Sequence, residues 1–196
     1  GEYTTINDDQ TIMKSKYVDG KKNGIESLYY KSGELKTTMY YEDFIQQGRE
    51  FHFYKNGNRN SIIDYKDGMK NGNMISWYEN AKLLGIAPFV NNHHDGISYA
   101  WFDNGNPRAE GHFKRGHQNG LEIQYYPNGK IKLRGNWLDG KLHGKEIQWY
   151  VNGSKKSEII YKHGETTSKQ KFWDKSGKFL KDVNLEEFIK RQKFNH

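Results

Sequence analysis

The sequence predicts an all-β protein, an elongated single-layer antiparallel meander of about seven 24-residue β-hairpin repeats with a short C-terminal capping helix. Three observations predict this fold: a glycine that recurs every 24 residues, columns of aromatic residues with the same period, and turn residues between short β-rich segments. Self-similarity at a fixed period is the signature of a repeat architecture. Helical spacing of apolar residues is absent from the repeats, which disfavours a helical solenoid.

Four columns carry the period. The first is the glycine column Gly24, Gly48, Gly72, Gly96, Gly120 and Gly144, with Ser168 next in the series. The second and third are adjacent rings: Tyr29, Phe53, Trp77, Trp101, Tyr125, Trp149 and Trp173, each followed by Tyr30, Tyr54, Tyr78, Phe102, Tyr126 or Tyr150 in all but the last repeat. The fourth is Tyr17, Tyr41, Tyr65, Phe89, Phe113, Trp137 and Tyr161.

Two kinds of turn divide the chain into strands. Within a repeat, the pairs Asn56-Gly57, Asn104-Gly105, Asn128-Gly129 and Asn152-Gly153 are typical of a hairpin. Between repeats, Asp19-Gly20, Asp67-Gly68 and Asp139-Gly140 indicate a second turn. Because strands and turns alternate without interruption, the strands are expected to form one continuous antiparallel meander.

The hairpin loop sets the predicted register. A three-residue loop with a left-handed Gly33 pairs Tyr30 with Glu34 and Tyr29 with Leu35. One face then collects the Tyr17 to Tyr161 column, the Tyr29 to Trp173 column and the residues Phe51, Ile75, Tyr99, Ile123 and Ile147. The other face is predicted to be mixed: it carries Glu26, Glu50 and Glu146, Glu122 opposite Arg134, and the row of rings that begins at Tyr30. The same register places Glu146 opposite Glu158, a like-charge pair that it does not explain.

The chain is expected to divide into three parts. Residues 1–16 form an N-terminal half-repeat or cap, from which Ile12 and Met13 enter the first strand, and residues 17–180 form the seven repeats. Residues 181–196 are predicted to contain a capping helix over 184–194 with an apolar stripe. A single 24-residue repeat cannot bury its own face, so stability must come from stacking between neighbours.

The string Asp-Gly-x-x-x-Gly-x-x-x-x-aromatic-Tyr-x-x-Gly, at 19–33 and 139–153, resembles the MORN-repeat family. The 24-residue variant is similar to bacterial YwqK-like antitoxin family proteins. The resemblance covers about residues 17 to 180 and implies a scaffold for protein or membrane contacts, with a toxin as the partner of an antitoxin. Phe44 and Asn92 stand where glycine is expected, which predicts irregular turns there.

Composition excludes several classes of function. The chain has 14 Tyr, 10 Phe and 5 Trp among 196 residues, which argues against intrinsic disorder. It has no Cys, which excludes a disulfide scaffold, a thiolate zinc site and a cysteine nucleophile. No apolar run is long enough for a membrane-spanning helix, and no signal-peptide pattern is present. Because the chain starts at Gly1, the compartment stays open, with export after removal of a signal segment as one option.

No residue pattern predicts catalysis, a cofactor or a metal site. Ser98 resembles a nucleophile elbow but lies mid-strand, where an elbow needs a strand-to-helix turn. His93, His94 and Asp95 fall in a turn between repeats, and a zinc site needs three or four converging ligands. Glutamates one repeat apart are about 10 Å apart, beyond the range of paired glycosidase carboxylates. We therefore expect a protein without enzymatic activity.

Three binding functions remain, and the net charge of +7 is spread too widely to favour nucleic acid. The first is a non-enzymatic repeat scaffold that binds a protein partner, in an antitoxin or immunity role. The alternatives are a carbohydrate or cell-wall binding module and peripheral association with an anionic membrane. The candidate surface is the irregular centre with neighbouring rings: Trp77, Tyr78, His93, His94, Trp101, Phe102, Tyr54 and Tyr126.

Overall fold

A computed structural model describes residues 1–167 and 170–183, and these residues form strands and turns with no helix. Accordingly, no helix long and apolar enough to cross a membrane occurs among them. The all-β prediction is confirmed. The predicted helix over 184–194 lies outside the described residues. The chain divides into two compact units, Gly1–Gly96 and Ile97–His196, which are described separately below.

The first unit contains ten strands in chain order: β1 (Glu2–Ile6), β2 (Ile12–Val18), β3 (Lys21–Lys22), β4 (Gly24–Tyr29), β5 (Leu35–Glu42), β6 (Ile45–Phe53), β7 (Arg59–Lys66), β8 (Met69–Trp77), β9 (Leu83–Val90) and β10 (His93–His94). Strand β1 pairs with β2, β2 with β4, and each strand from β4 to β8 pairs antiparallel with the next. Ile12 and Met13 begin a strand, but it is the second one, β2, because Glu2–Ile6 already form β1.

The second unit continues the same pattern: β11 (Gly96–Trp101), β12 (Pro107–Lys114), β13 (His117–Tyr125), β14 (Ile131–Leu138), β15 (Lys141–Leu142), β16 (Gly144–Trp149), β17 (Lys155–Lys162), β18 (Glu165–Thr166), β19 (Gln170–Trp173) and β20 (Phe179–Val183). Strands β12, β13, β14, β16, β17, β19 and β20 pair antiparallel in that order. The last strand extends to Val183, three residues beyond the predicted end of the repeats at 180.

The hairpin loops have the predicted geometry. The Tyr30 amide donates to the Glu34 carbonyl at 2.8 Å, and the Gly33 amide donates to the Tyr30 carbonyl at 2.9 Å. Gly33 has φ +102°, and Tyr29 pairs with Leu35. The same two backbone hydrogen bonds recur in the loops at 54–58, 78–82, 102–106, 126–130, 150–154 and 174–178. The Asn56 side chain accepts from the Asn58 amide and donates to the Glu79 carbonyl of the next repeat, so it both shapes and links the loops.

The turns between repeats are more regular than the sequence predicts. Asp67 and Gly68 have φ +53° and +74°, the type I′ geometry that suits a two-residue hairpin. Phe44 (φ +70°) and Asn92 (φ +67°) adopt the same conformation as the glycines they replace, so the expected irregularity is wrong. The Phe44 amide donates to the Lys22 carbonyl at 2.9 Å, and the Gly68 amide donates to Gln46 in the same way. The shared bond to the preceding repeat explains why the geometry persists.

Phe44 provides a test of this turn. The variant Phe44→Gly is expected to be more stable than Phe44→Ala by about 1 kcal/mol, because only glycine adopts a positive φ without a steric penalty. Both variants lose the contact between the Phe44 and Tyr17 rings, whose centroids are 6.2 Å apart, so that loss cancels in the comparison. Urea unfolding of the two variants measures the difference. Equal stabilities would contradict the strained turn.

One bulge in each hairpin corrects the predicted register. Tyr29 pairs with Leu35 but Leu28 pairs with Thr37, which leaves Lys36 without a partner. Asn60, Leu84, Lys132 and Lys156 are skipped in the same way. The predicted pair of Glu122 with Arg134 is therefore wrong, because Glu122 lies opposite Gly135. The unexplained like-charge pair disappears as well, since Glu146 lies opposite Ile159.

The bulge also moves one aromatic column to the other face. In the Tyr17 to Tyr161 column, the Trp137 indole nitrogen donates to Glu122 at 2.7 Å, and the Tyr65 hydroxyl bonds Glu50. These rings therefore share a face with the glutamates, not with Ile123 as predicted. In each unit, we call the side that carries these glutamates the glutamate face and the other side the opposite face; the glutamates are Glu26 and Glu50 in the first unit and Glu122 and Glu146 in the second. The interior of the fold is the glutamate face, where Ile63, Ile159, Ser61 and Ser157 are also buried.

Candidate functional site

Four repeats place a glutamate at the same position of a strand on the glutamate face. Two of them, Glu26 and Glu146, are only 5% and 6% exposed. Burying a charged group costs free energy unless it is paired or hydrogen-bonded. The partners of each carboxylate therefore decide whether it holds the fold together or is available for chemistry.

Glu26 is held by two donors. The Ser15 hydroxyl donates to Glu26 Oε2 at 2.5 Å, and Lys22 Nζ lies 2.5 Å from the same oxygen. Lys22 Nζ also lies 4.6 Å from the centre of the Tyr41 ring. Burial by itself would lower the pKa of Lys22, but the hydrogen bond and the charge of Glu26 outweigh it and raise this pKa above 10.5. The Lys22 ammonium therefore stays charged at neutral pH.

Glu50 has a different set of partners. His52 Nε2 lies 2.6 Å from Glu50 Oε1, and the Gln46 amide donates to Oε2 at 2.7 Å. Burial opposes ionisation, but hydrogen bonds from His52, Gln46 and Tyr65 outweigh it, so the pKa of Glu50 lies below 4.5. In turn, burial and then the charge and hydrogen bond of Glu50 raise the pKa of Tyr65 to about 12.

The lowered pKa of Glu50 makes the folding stability depend on pH. A depressed carboxyl pKa stabilises the fold above the unfolded value, near 4.5, and this stabilisation is lost as pH falls through the folded value. The variant Glu50→Gln should therefore lose about 2 kcal/mol at pH 7 and much less at pH 3, because hydrogen bonds to a charged group are the strong ones. Urea unfolding at both pH values measures this. A loss that is independent of pH would contradict the account.

On the glutamate face of the second unit, Glu122 and Glu146 are bonded to neutral donors. Besides the Trp137 indole, Glu122 accepts a bond from the Gln124 amide at 2.7 Å, and Glu146 accepts one from Gln148 at 2.9 Å. All four carboxylates are thus bonded to donors of this chain. The glutamate face is arranged as a network that joins strands.

In four of the aromatic pairs, the hydroxyl of the second ring joins neighbouring repeats. The Tyr54 hydroxyl donates to the Trp77 carbonyl at 2.8 Å, and the Tyr126 hydroxyl donates to the Trp149 carbonyl at the same distance. Tyr30 and Tyr150 make the equivalent bonds to Phe53 and Trp173. Two residues of the predicted surface, Tyr54 and Tyr126, therefore have a structural contact in addition to any role in binding.

The opposite face of the first unit carries a continuous apolar row. Cross-strand partners share a face, and successive pairs join Phe51 to Ile62, Ile62 to Ile75 and Ile75 to Ile86. All four side chains are half-buried. Ile25, 61% exposed, and Tyr40, 38% exposed, form a cross-strand pair on the same face. We call Phe51, Ile62, Ile75 and Ile86 the apolar row.

The rings of the predicted surface separate between the two faces. Successive side chains of a strand point to opposite sides, so Trp77 lies with Ile75 beside the apolar row and Tyr78 points to the glutamate side. In the second unit, Trp101 lies on the opposite face, with its ring centre 6.1 Å from that of Tyr99. Phe102, the next residue, occupies the position equivalent to Tyr54.

The two predicted histidines form the short strand β10. His93 is exposed and pairs with Val90, whereas His94 pairs with Phe89 and stacks on its ring at 5.3 Å. Burial lowers the pKa of His94, and the charge of Asp95 opposes this shift. Across residues 1–167 and 170–183, no three His, Asp or Glu side chains converge as they would to hold a metal ion.

Half of the apolar row does not follow from the sequence. The predicted register places Phe51 and Ile75 on one face but not Ile62 and Ile86, because the bulge that brings these two there has no sequence signal. The skipped position is occupied by Lys36, Asn60 and Leu84 in the first unit, which share no property. One sequence feature does indicate the row: none of its four positions carries a charged residue.

Comparisons with known proteins agree with the repeat geometry. A family model described as MORN repeat variant matches residues 22–43, 46–67, 95–115, 118–139 and 142–163, which together are more than half of the chain. The segment between the second and third matches contains Ala81 and Asn92, where the sequence departs from the repeat. A search of curated proteins found no match.

Proposed function

The chain belongs to the MORN repeat variant family, and from this membership we propose that it is a non-enzymatic scaffold that binds a protein partner through the opposite face. Repeats of this family are commonly protein- or membrane-binding modules and are not typically enzymatic. The proposal selects a protein partner and assigns the binding to one face of the sheet.

The observation that carries the proposal is the unequal use of the two faces. On the glutamate face, carboxylates and tyrosine hydroxyls are bonded to neighbouring strands and repeats. The apolar row of the first unit is half-buried, and Ile25 and Tyr40 beside it are exposed. Contiguous exposed apolar side chains are typical of a protein interface. Trp77 is the aromatic anchor of this surface, since interface energy concentrates in such residues.

The proposal is tested by removing apolar surface without weakening the strands. Ile62→Thr with Ile75→Thr keeps β-branched side chains, so the sheet is retained while the apolar row is interrupted. We expect the affinity for a partner captured by the wild-type chain to fall at least about tenfold. The matched control is Tyr54→Phe on the glutamate face, which should lose stability and keep affinity. Unchanged affinity of the double threonine variant would contradict the proposal.

An antitoxin role is the finer form of this proposal. The likeness to YwqK-like antitoxins suggests that the partner is a toxin whose activity the chain blocks. Co-expression of the chain with its captured partner in bacteria should restore growth if the partner is toxic, and the double threonine variant should not. Growth that is unaffected by the partner alone would exclude this role and leave the binding function in place.

The two other binding functions have distinct outcomes in the same assays. A carbohydrate ligand would be retained at high salt and lost on replacing rings such as Tyr78. An anionic membrane would be released by salt, because exposed charges are screened. If no protein is captured, either result would identify carbohydrate or membrane as the ligand in place of a protein partner.

A further inference from the structure

The positive charge of the chain belongs to its second unit. Residues 1–96 contain 12 Lys and Arg and 13 Asp and Glu, whereas residues 97–196 contain 19 and 11. A basic surface favours association with acidic partners. The described residues of this unit concentrate the excess of Lys and Arg on its opposite face.

The opposite face of the second unit has charges where the first unit has its apolar row. Successive cross-strand pairs join Ile123 to Arg134, Arg134 to Ile147, Ile147 to Glu158, and Glu158 to Lys171. Directly opposed residues share a face, so this row alternates isoleucine with charge. Arg134 and Lys171 are both exposed.

Two further cations gather around Glu158. Lys145 Nζ lies 3.1 Å from Glu158 Oε1, and Lys155 Nζ lies 2.9 Å from Oε2. These hydrogen bonds lower the pKa of Glu158, so this carboxyl stays charged at neutral pH. One carboxylate therefore holds two ammonium groups, with Lys171 directly opposite it. We call Arg134, Lys145, Lys155 and Lys171 the basic patch.

The basic patch also contains apolar surface. Ile147 lies between Arg134 and Glu158 in the row, and Ile160, 40% exposed, lies opposite Lys145. Lys155 Nζ is 5.0 Å from the centre of the Trp173 ring. A ligand that fits this face must therefore offer both negative charge and apolar groups at the spacing of neighbouring strands, about 5 Å.

We propose that the basic patch docks an acidic segment of a protein partner, in which carboxylates alternate with apolar side chains. This inference rests on the proposed function and names the chemistry of the partner. Charge complementarity between the four cations and the carboxylates provides specificity and speeds encounter. The interleaved isoleucines and the central Glu158 favour such a segment over a phosphate backbone, which offers no apolar side chains and is repelled by a carboxylate.

The test uses a short fluorescent peptide that alternates Glu and Leu, with the same peptide carrying Gln for Glu as reference. We expect the wild-type chain to bind the glutamate peptide at least about tenfold more tightly than the glutamine peptide. Arg134→Glu with Lys171→Glu should remove most of that preference.

The matched control is Lys114→Glu with Lys162→Glu, which makes the same charge change at exposed strand ends and should keep the preference. Arg134→Gln with Lys171→Gln, which should lose part of the preference, covers the case in which the reversed variant does not fold.

Three results would overturn the inference. The first is equal weakening by the control pair, which would show an effect of net charge alone. The second is tighter binding to phosphatidylserine vesicles or to oligothymidylate than to the glutamate peptide, which would assign the patch to a lipid surface or a nucleic acid. The third is no preference for the glutamate peptide. If Ile62→Thr with Ile75→Thr still abolishes partner binding in that case, the proposed function stands and only the acidic partner is excluded.

Discussion

Replacing Gly72 with alanine is expected to cost about 3 kcal/mol of folding stability. Gly72 has φ +124°, a conformation that costs an L-residue about 1–2 kcal/mol. A Cβ atom there would lie 2.7 Å from Asp64 Cβ, and crowding of this kind adds about 1–3 kcal/mol. Asp64 cannot turn away without loss, because it accepts bonds from the Asn73 amide and from Arg49.

The control for Gly72 is the hairpin glycine Gly57. It also has a positive φ, +82°, but nothing lies within 4 Å of a Cβ built there. Gly57→Ala should therefore cost only about 1 kcal/mol, the backbone part of the penalty. Urea unfolding of the two variants separates backbone strain from close packing. Equal losses of stability would show that glycine is needed at position 72 for its backbone conformation alone and not for the close approach of the strands.

Replacing Glu26 is expected to cost about as much folding stability as replacing Gly72. Glu26→Met leaves Lys22, whose side chain is 19% exposed, without its carboxylate, and breaking such a pair costs about 3 kcal/mol. Methionine fits the position, since Met74 occupies the equivalent place in the third repeat. The double variant Lys22→Met with Glu26→Met should recover at least half of the loss, because no unpaired charge remains.

The double-mutant cycle at Lys22 and Glu26 measures their coupling. Thermal or urea unfolding of the two single variants and the double variant gives the coupling free energy directly. Additive losses would mean that the ion pair does not stabilise the glutamate face. The Ser15 hydroxyl, which loses its acceptor in both variants that lack Glu26, limits how complete the recovery can be.

The period and the turns of this fold could be predicted from sequence because they depend on backbone conformation. Gly33 and Asp67-Gly68 stand at positions that need a positive φ, and residues suited to that conformation recur every 24 residues. Phe44 shows the limit of this reasoning. The repeat imposes the turn through the bond from the Phe44 amide to Lys22, so the geometry persists where the local sequence opposes it.

The assignment of faces could not be predicted for two physical reasons. The bulge at Lys36 and its equivalents involves no special residue type, and a shift by one position exchanges the two faces of a strand. In addition, glutamate is rarely buried without a partner, so an interior built on Glu26 and Glu146 contradicts the usual hydropathy argument. The donors that pair with these carboxylates, Ser15 at Glu26 and Gln148 at Glu146, make that interior stable.

This assignment changes the meaning of the aromatic pairs. In Trp77-Tyr78, adjacent rings point to opposite faces, so one lies beside the apolar row and the other points to the face that joins the repeats. The predicted register also places the two rings of a pair on opposite faces, but the predicted binding surface combines them. The observed separation divides the predicted binding residues into those beside the apolar row and those with structural contacts.

The most direct test of this account is hydroxyl-radical footprinting of the chain with and without its captured partner. We expect binding to protect Phe51, Ile62, Ile75 and Trp77 from oxidation and to leave Tyr54 and Tyr78 unchanged. Because Tyr54 directly follows β6 and Tyr78 directly follows β8, these two rings are internal controls next to the protected residues. Protection of Tyr54 and Tyr78, with Phe51 and Trp77 unchanged, would place the partner on the glutamate face and contradict binding through the opposite face.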